Sequence, residues 1–224
     1  LIMDELPEEL LIEIFNYLSS SDLLHLTTLS SYFNEVISSS PQLLKKFSLY
    51  FRKSEEVWIG SRAYSNLIIE NYSVFQHEKI LKDVGGNIRS LKIKRWNWSL
   101  DIDRLLEIFS LCPNLKRLKF EKIQFNFMLK LNDENLPNYD NLELDLLETD
   151  SRILPIFKNC TARSLSFDYV PSGGRFTIPE VIDFIKRQES LEELTLSGFV
   201  AFIDAGMGKI IFNDANLSSV KFQL

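Results

Sequence analysis

The 224-residue sequence predicts an α/β chain in two parts. A three-helix module comes first, and a solenoid with a parallel concave sheet and convex helices follows. Three observations carry this. Apolar residues over 6–40 recur at helical spacing, and a strand-like apolar register returns seven times between Tyr64 and Phe222. The composition, 45% apolar and 25% charged with 17 Phe, is that of a globular chain with a large apolar core.

In the first part, Pro7 stands where a first-turn proline belongs, with Glu8 and Glu9 near the helix N-terminus. Leu10, Leu11, Ile14, Phe15 and Leu18 then form one helical face. Ser19-Ser20-Ser21-Asp22 interrupts that helix and offers an N-cap to a second one, which carries Leu23, Leu24, Leu26 and Leu29. Ser30 or Ser31 caps a third helix with Phe33, Val36 and Ile37, and Ser38-Ser39-Ser40-Pro41 ends it. About 40 residues bury too little surface to stand alone comfortably. The module therefore either docks on the rest of the chain or offers an apolar face to a partner.

In the second part, Pro113-Asn114-Leu115-Lys116-Arg117-Leu118-Lys119-Phe120 aligns without gaps on Pro137-Asn138-Tyr139-Asp140-Asn141-Leu142-Glu143-Leu144. The register apolar-x-x-apolar-x-apolar recurs with fourth positions at Leu67, Leu91, Leu118, Leu142, Leu165, Leu194 and Val220, in steps of 24, 27, 24, 23, 29 and 26 residues. Each unit reads as a short strand, a turn and a helix. The helical returns fall at Phe75–Val84, Ile102–Leu111, Ile153–Asn159 and Ile178–Gln188, while 124–136 and 200–213 fit the pattern less well. The domains expected are 1–47 for the helical module, 48–62 for a linker and 63–224 for the repeats. The chain begins at Leu1, and Val220-Lys221-Phe222-Gln223-Leu224 reads as a strand stopping mid-repeat. We expect a segment of a longer protein that continues past Leu224, because solenoids need a terminal cap.

Leu6-Pro7-x-Glu9-Leu10-Leu11-x-x-Ile14-Phe15-x-Tyr17-Leu18, then Asp22-Leu23-Leu24, then Leu29-Ser30-x-x-Phe33-Asn34, resembles the F-box, with Leu29 where that family often has Val or Cys. The repeats resemble the leucine-rich repeat. Together these resemblances imply a substrate-recognition adaptor of a Skp–cullin–F-box ubiquitin ligase. Such an adaptor binds a Skp-family adaptor and, through it, cullin and RING subunits, and holds an unidentified protein substrate on the repeats. The residues implied in adaptor binding are Leu6, Pro7, Leu10, Leu11, Ile14, Phe15, Leu18, Leu23 and Leu26. A buried Leu or Ile to Ala change costs about 2–5 kcal/mol, so Ile14→Ala or Leu18→Ala is expected to weaken binding at least about 30-fold. The alternatives are a leucine-rich-repeat binding module for an RNA backbone or an extracellular ligand, and an F-box scaffold with no ligase role.

Strand alternation says which side chains face outward. On the concave face these are Ser90, Lys92 and Lys94, then Arg117, Lys119 and Glu121, then Asn141, Glu143 and Asp145. Ser164, Ser166 and Asp168, then Glu193, Thr195 and Ser197, complete the row. Lys92, Lys94, Arg117 and Lys119 come from adjacent strands and could gather round one phosphate or acidic group, making them the candidate substrate-binding set. Glu121, Glu143 and Asp145 could neutralise them instead. Trp96, Trp98, Phe125 and Phe127 follow strands and read as loop-packing residues or an exposed aromatic platform.

Other chemistry finds little support. Gly173-Gly174, Gly198, Gly206 and Gly208 make no phosphate-binding loop, and His77-Glu78 lacks the second His of a zinc motif. We expect no enzyme activity, no cofactor and no metal. A net charge of −6 makes nucleic acid an unlikely partner, and no apolar run reaches the roughly 18 residues that span a bilayer. Cys112 and Cys160 occupy similar positions two repeats apart, about 10 Å, beyond the ~7 Å limit for a disulfide. Free thiols fit a reducing cytoplasmic and/or nuclear setting. Four glycosylation sequons, at Asn71, Asn97, Asn159 and Asn216, point the other way but lack a cysteine framework to support them.

Overall fold

The computed structural model describes residues 6–52, 62–70, 78–95, 102–123, 136–149, 151–168, 178–197 and 219–223, with side chains omitted for 52, 151–152, 178–180 and 219–223. Four helices open the chain: α1 (Glu8–Asn16), α2 (Ser20–Leu29), α3 (Ser31–Ser39) and α4 (Pro41–Leu44). Serines cap the last three of these helices. Ser19 and Asp22 form a reciprocal capping box at α2, Ser30 Oγ accepts from Phe33 N at α3, and Ser40 Oγ accepts from Leu43 N at α4. The helix α4 adds a fourth to the three that the sequence predicts for this module, the third of which is expected to end within residues 38–41. Pro41 does end α3, but its fixed φ also starts a new turn at N1.

The module has its own core. Leu11, Phe15, Leu23, Phe33, Val36, Ile37, Leu43, Leu44 and Phe47 pack together, with the Phe15 and Phe33 rings edge-to-face at 5.5 Å. Lys46 crosses from beyond α4 to the open C-terminal end of α1, where its Nζ donates to the carbonyls of Asn16, Leu18 (2.8 Å) and Phe15 (3.5 Å). The Asn16 carbonyl is among those a helix end leaves unpaired, while the Phe15 carbonyl also accepts from Leu18 N at 3.1 Å.

The strands are β1 (Ser48–Arg52), β2 (Asn66–Glu70), β3 (Ser90–Lys94), β4 (Arg117–Glu121), β5 (Leu142–Leu147), β6 (Ala162–Asp168), β7 (Glu193–Ser197) and β8 (Ser219–Gln223). They form one eight-stranded parallel sheet in sequential order. The helices α5 (Glu78–Val84), α6 (Ile102–Leu111) and α7 (Ile178–Lys186) return the chain between strands. Residues Ser151–Phe157 form a 3-10 helix where an α-helical return was expected. Pro155 inside it has no N–H to give an i−4 carbonyl.

Two further expectations need correction. Residues 48–52 are not linker: Leu49 and Phe51 alternate into the sheet core, and β1 pairs with β2 along its whole length. The module is also tied to the sheet. Asn66 Nδ2 donates to the carbonyls of Lys45 (2.6 Å) and Phe47 (3.1 Å), Arg62 bonds Asn34 at 3.0 Å, and Tyr64 packs on both cores. In the fourth unit the register is offset by two residues. Leu144, not Leu142, pairs with Leu118 and Leu165, with a bulge at Leu142/Glu143 and Asn141 in the left-handed region (φ 56°). A slip of two keeps every side chain on its face, so Glu143 and Asp145 still point outward while Asn141 leaves the row.

The second core lies on the helical side of the sheet. Strand residues at alternate positions, such as Leu91, Ile93, Leu118 and Phe120, meet Leu105, Ile108 and Phe109 of α6, Phe157, and Val181 and Phe184 of α7. Gly85 is needed where α5 approaches the end of α6, because a Cβ there would lie 2.1 Å from the Leu111 carbonyl oxygen. No helix among the described residues is long and apolar enough to cross a membrane.

Candidate functional site

Two surfaces come from this fold: the outer face of the helical module and the open face of the sheet. On the module the nine residues proposed for a partner divide by burial. Leu11, Phe15 and Leu23 are fully buried in the module's own core. They correct the expectation of one exposed apolar set, since an amphipathic helix must first cover its own neighbours. Leu6, Leu18 and Leu26 are half-buried against that core. Pro7 is exposed, as are Leu10 (48%) and Ile14 (41%).

The exposed apolar face extends beyond the expected set. Tyr17, at the C-terminal end of α1, is 91% exposed, and Leu24 and Leu29 of α2 are 46% and 77% exposed. Leu10, Ile14 and Tyr17 follow at i, i+4 and i+7, so they stack into one stripe along α1. That spacing is visible in the sequence. Which of two adjacent apolar residues faces in is not, because Leu10–Leu11 and Ile14–Phe15 are pairs of similar hydropathy. Beside the stripe lies a groove of about 630 Å³ lined by Glu9, Leu10, Ile12, Glu13, Asn16 and Gln42.

On the sheet, side chains at alternate positions of β3–β7 face away from the helices, as the half-buried, buried alternation requires. The four candidate cations do not form one free cluster. Lys92 Nζ lies 2.6 Å from Glu121, Lys119 pairs with Asp145, and Arg117 lies 3.9 Å from Glu143. Each carboxylate stands one strand further on: Asp145 and Glu143 lie directly opposite Lys119 and Arg117, while Glu121 is diagonal to Lys92 and directly opposite the half-buried Lys94. Lys92 first, through its hydrogen bond to Glu121, holds that carboxyl below the usual range, with Lys94 and Lys119 adding to the effect. A shallow depression of about 290 Å³ lies over Ser90, Arg117, Lys119, Glu143, Asp145, Ser164 and Ser166.

Charge balance changes along the sheet. Asp168 sits where partial burial, then Glu148 and Asp145, push its carboxyl above the usual range. Arg95, Lys122 and Glu148, each the first residue after a strand, have φ of 47°, 59° and 48°. Arg95 N and Lys122 N continue the ladder by donating to the carbonyls of Glu121 (2.8 Å) and Leu147 (3.0 Å). Left-handed non-glycine residues cost about 1–2 kcal/mol, so the sheet ladder fixes these turns.

Cys112 and Cys160 are buried free thiols, with burial pushing them up to about 12 and about 11. Tyr139, wedged beside them, donates to the Phe109 carbonyl at 3.0 Å with the Cys112 carbonyl at 3.2 Å, and burial raises its hydroxyl too. These groups hold the core and lack the depressed pKa of a nucleophile. Among the described residues no group of three His, Cys, Asp or Glu is placed to hold a metal ion. Trp96, Trp98, Phe125, Phe127 and His77 lie outside the described residues.

Residues 3–50 match the F-box-like family. The match ends in the middle of β1 and so covers the four-helix module with its exposed stripe. No curated protein matches the chain.

Proposed function

We propose that this chain is a substrate-recognition adaptor of a Skp–cullin–F-box ubiquitin ligase. The observation that carries the reading is the F-box-like match over 3–50, falling on a module whose α1 presents Leu10, Ile14 and Tyr17 to solvent. F-box domains generally bind Skp-type adaptors. A partner helix that packs on this stripe gains about 25 cal/mol for each Å² of apolar surface removed from water. Through the Skp adaptor the chain reaches cullin and RING subunits. The sheet with its helical returns acts as a leucine-rich-repeat solenoid that holds a protein substrate on the open face. Seven strands at the expected recurrence support that reading.

The chain performs no chemistry in this scheme. It raises the effective concentration of a substrate lysine near the charged conjugating enzyme. The setting is cytoplasmic and/or nuclear, in keeping with two buried free thiols. Co-purification of the chain with a Skp-family adaptor and cullin, followed by ubiquitination and turnover of a co-purified protein, tests the proposal. Capture of the adaptor without turnover of any bound protein favours the scaffold role over the ligase role.

A further inference from the structure

On the open face Lys92 and Lys119 each meet a carboxylate of their own, whereas along the N-terminal rim of the same strands cations outnumber carboxylates. Arg89 and Lys116 each precede the first residue of a strand, β3 and β4, and both are exposed. They do the same thing one unit apart. Arg89 Nη1 donates to the Asn114 carbonyl at 3.2 Å, and Lys116 Nζ donates to the Asp140 carbonyl at 3.3 Å. A backbone carbonyl orients a cation without cancelling its charge. The row continues through Arg117 and Arg163, both exposed, which share a single carboxylate: Glu143 lies 3.9 Å from Arg117 and 2.6 Å from Arg163. Asp140 is the other acidic residue within the row, and Glu192 and Glu193 on the β7 side bound it. In a chain of net charge −6, this is a local reversal of sign.

We propose that this rim, Arg89, Lys116, Arg117 and Arg163, binds an acidic segment of a partner protein laid across the strands. The proposal rests on the reading that the strand–helix array recognises a protein substrate, and it names that substrate's chemistry. Adjacent strands lie about 4.8 Å apart, so the row from β3 to β6 spans about 14 Å. An extended peptide rises about 3.3 Å per residue, so about four or five residues cover it. Alternate side chains, about 6.6 Å apart, then face the cations. The two arginines over Glu143 offer forked donors to incoming carboxylates.

A polynucleotide fits less well. Beyond Arg163 the row runs into the exposed Glu193 at the start of β7, which repels a long polyanion continuing across the sheet. The row also holds no aromatic side chain for base stacking.

The test uses the whole chain and a fluorescently labelled peptide of alternating Glu and Ser, read by anisotropy. Saturable binding that weakens as salt is raised is expected. The pair Arg89→Glu with Lys116→Glu weakens it about tenfold or more, equivalent to about 1.4 kcal/mol. Lys82→Glu, on helix α5 and away from the strand rim, changes it less than about twofold. Should the double variant lose its circular-dichroism signature, Lys116→Ala alone still lowers affinity measurably. Equal affinity in wild type and variants, or no saturable binding, overturns the proposal. So does displacement of the peptide by single-stranded RNA at lower concentration than by free peptide. Capture of a Skp-family adaptor by the same preparations is scored separately. Failure there sinks the ligase reading and leaves the rim result standing.

Discussion

Ile14 and Phe15 are neighbours in sequence and opposites in the fold, and their alanine variants separate partner binding from folding. Phe15 is fully buried and packs edge-to-face on Phe33 at 5.5 Å. Removing such a ring costs about 3–5 kcal/mol, a large part of the stability of a small module. Ile14 keeps 41% of its surface exposed. Ile→Ala removes about three carbons, worth about 0.8 kcal/mol each when fully buried. Only the exposed share is available to a partner, so the loss of affinity is about 1 kcal/mol, or about fivefold. That is well below the ~30-fold expected when the whole side chain was counted as interface. Ile14→Asp costs more, because it places a carboxylate in an apolar contact. The assays are denaturant unfolding followed by far-ultraviolet circular dichroism, and titration calorimetry against a Skp-family adaptor. Phe15→Ala should shift the unfolding midpoint strongly, and Ile14→Asp should leave it nearly in place while weakening the adaptor. Equal destabilisation by both, or full adaptor affinity for Ile14→Asp, refutes the division of the helix into an inward and an outward face.

Gly85→Ala should lower the melting temperature of the sheet region measurably, since its Cβ would meet backbone oxygen at 2.1 Å; an unchanged melting temperature would show that α5 yields freely. Cys112 and Cys160 should resist alkylation in the folded chain at neutral pH and react after unfolding. Their thiols are raised from 9.0 to about 12 and about 11. Their contribution to stability is therefore complete below the unfolded value near 9.0 and is lost as pH rises through the folded values, which alkaline unfolding curves read. Asp168 has a raised folded pKa, so the carboxylate form opposes folding once pH exceeds its ordinary value. Asp168→Asn should raise the melting temperature at neutral pH and not in strong acid, and a fall at neutral pH would contradict that assignment.

Much of the fold was legible because period and punctuation agree. Serine caps bound α2 and α3 where the sequence places them, and α6 spans the expected Ile102–Leu111. Strands β2, β3, β4, β6, β7 and β8 follow the apolar register. The misses have physical causes. Ser48–Arg52 lacks the spacing of the later units and so reads as linker, although Leu49 and Phe51 alternate as a strand requires. Leu142, Leu144 and Leu146 are three equivalent apolar positions, and only a bulge beside Asn141 decides which pairs with Leu118. Of the site, the sequence shows that Glu121, Glu143 and Asp145 can neutralise the cations, but which carboxylate meets which cation depends on the two-residue offset of β5 and on a diagonal reach from Lys92 to Glu121. The capping role of Lys46, about 30 residues from the carbonyls it meets, had no local signal.

The most direct test of the adaptor reading is a mixing experiment with the purified chain and a purified Skp-family adaptor, followed by size-exclusion chromatography with light scattering. A one-to-one complex that is lost in the folded Ile14→Asp variant is the predicted result. A folded chain that elutes apart from the adaptor at all concentrations would contradict it.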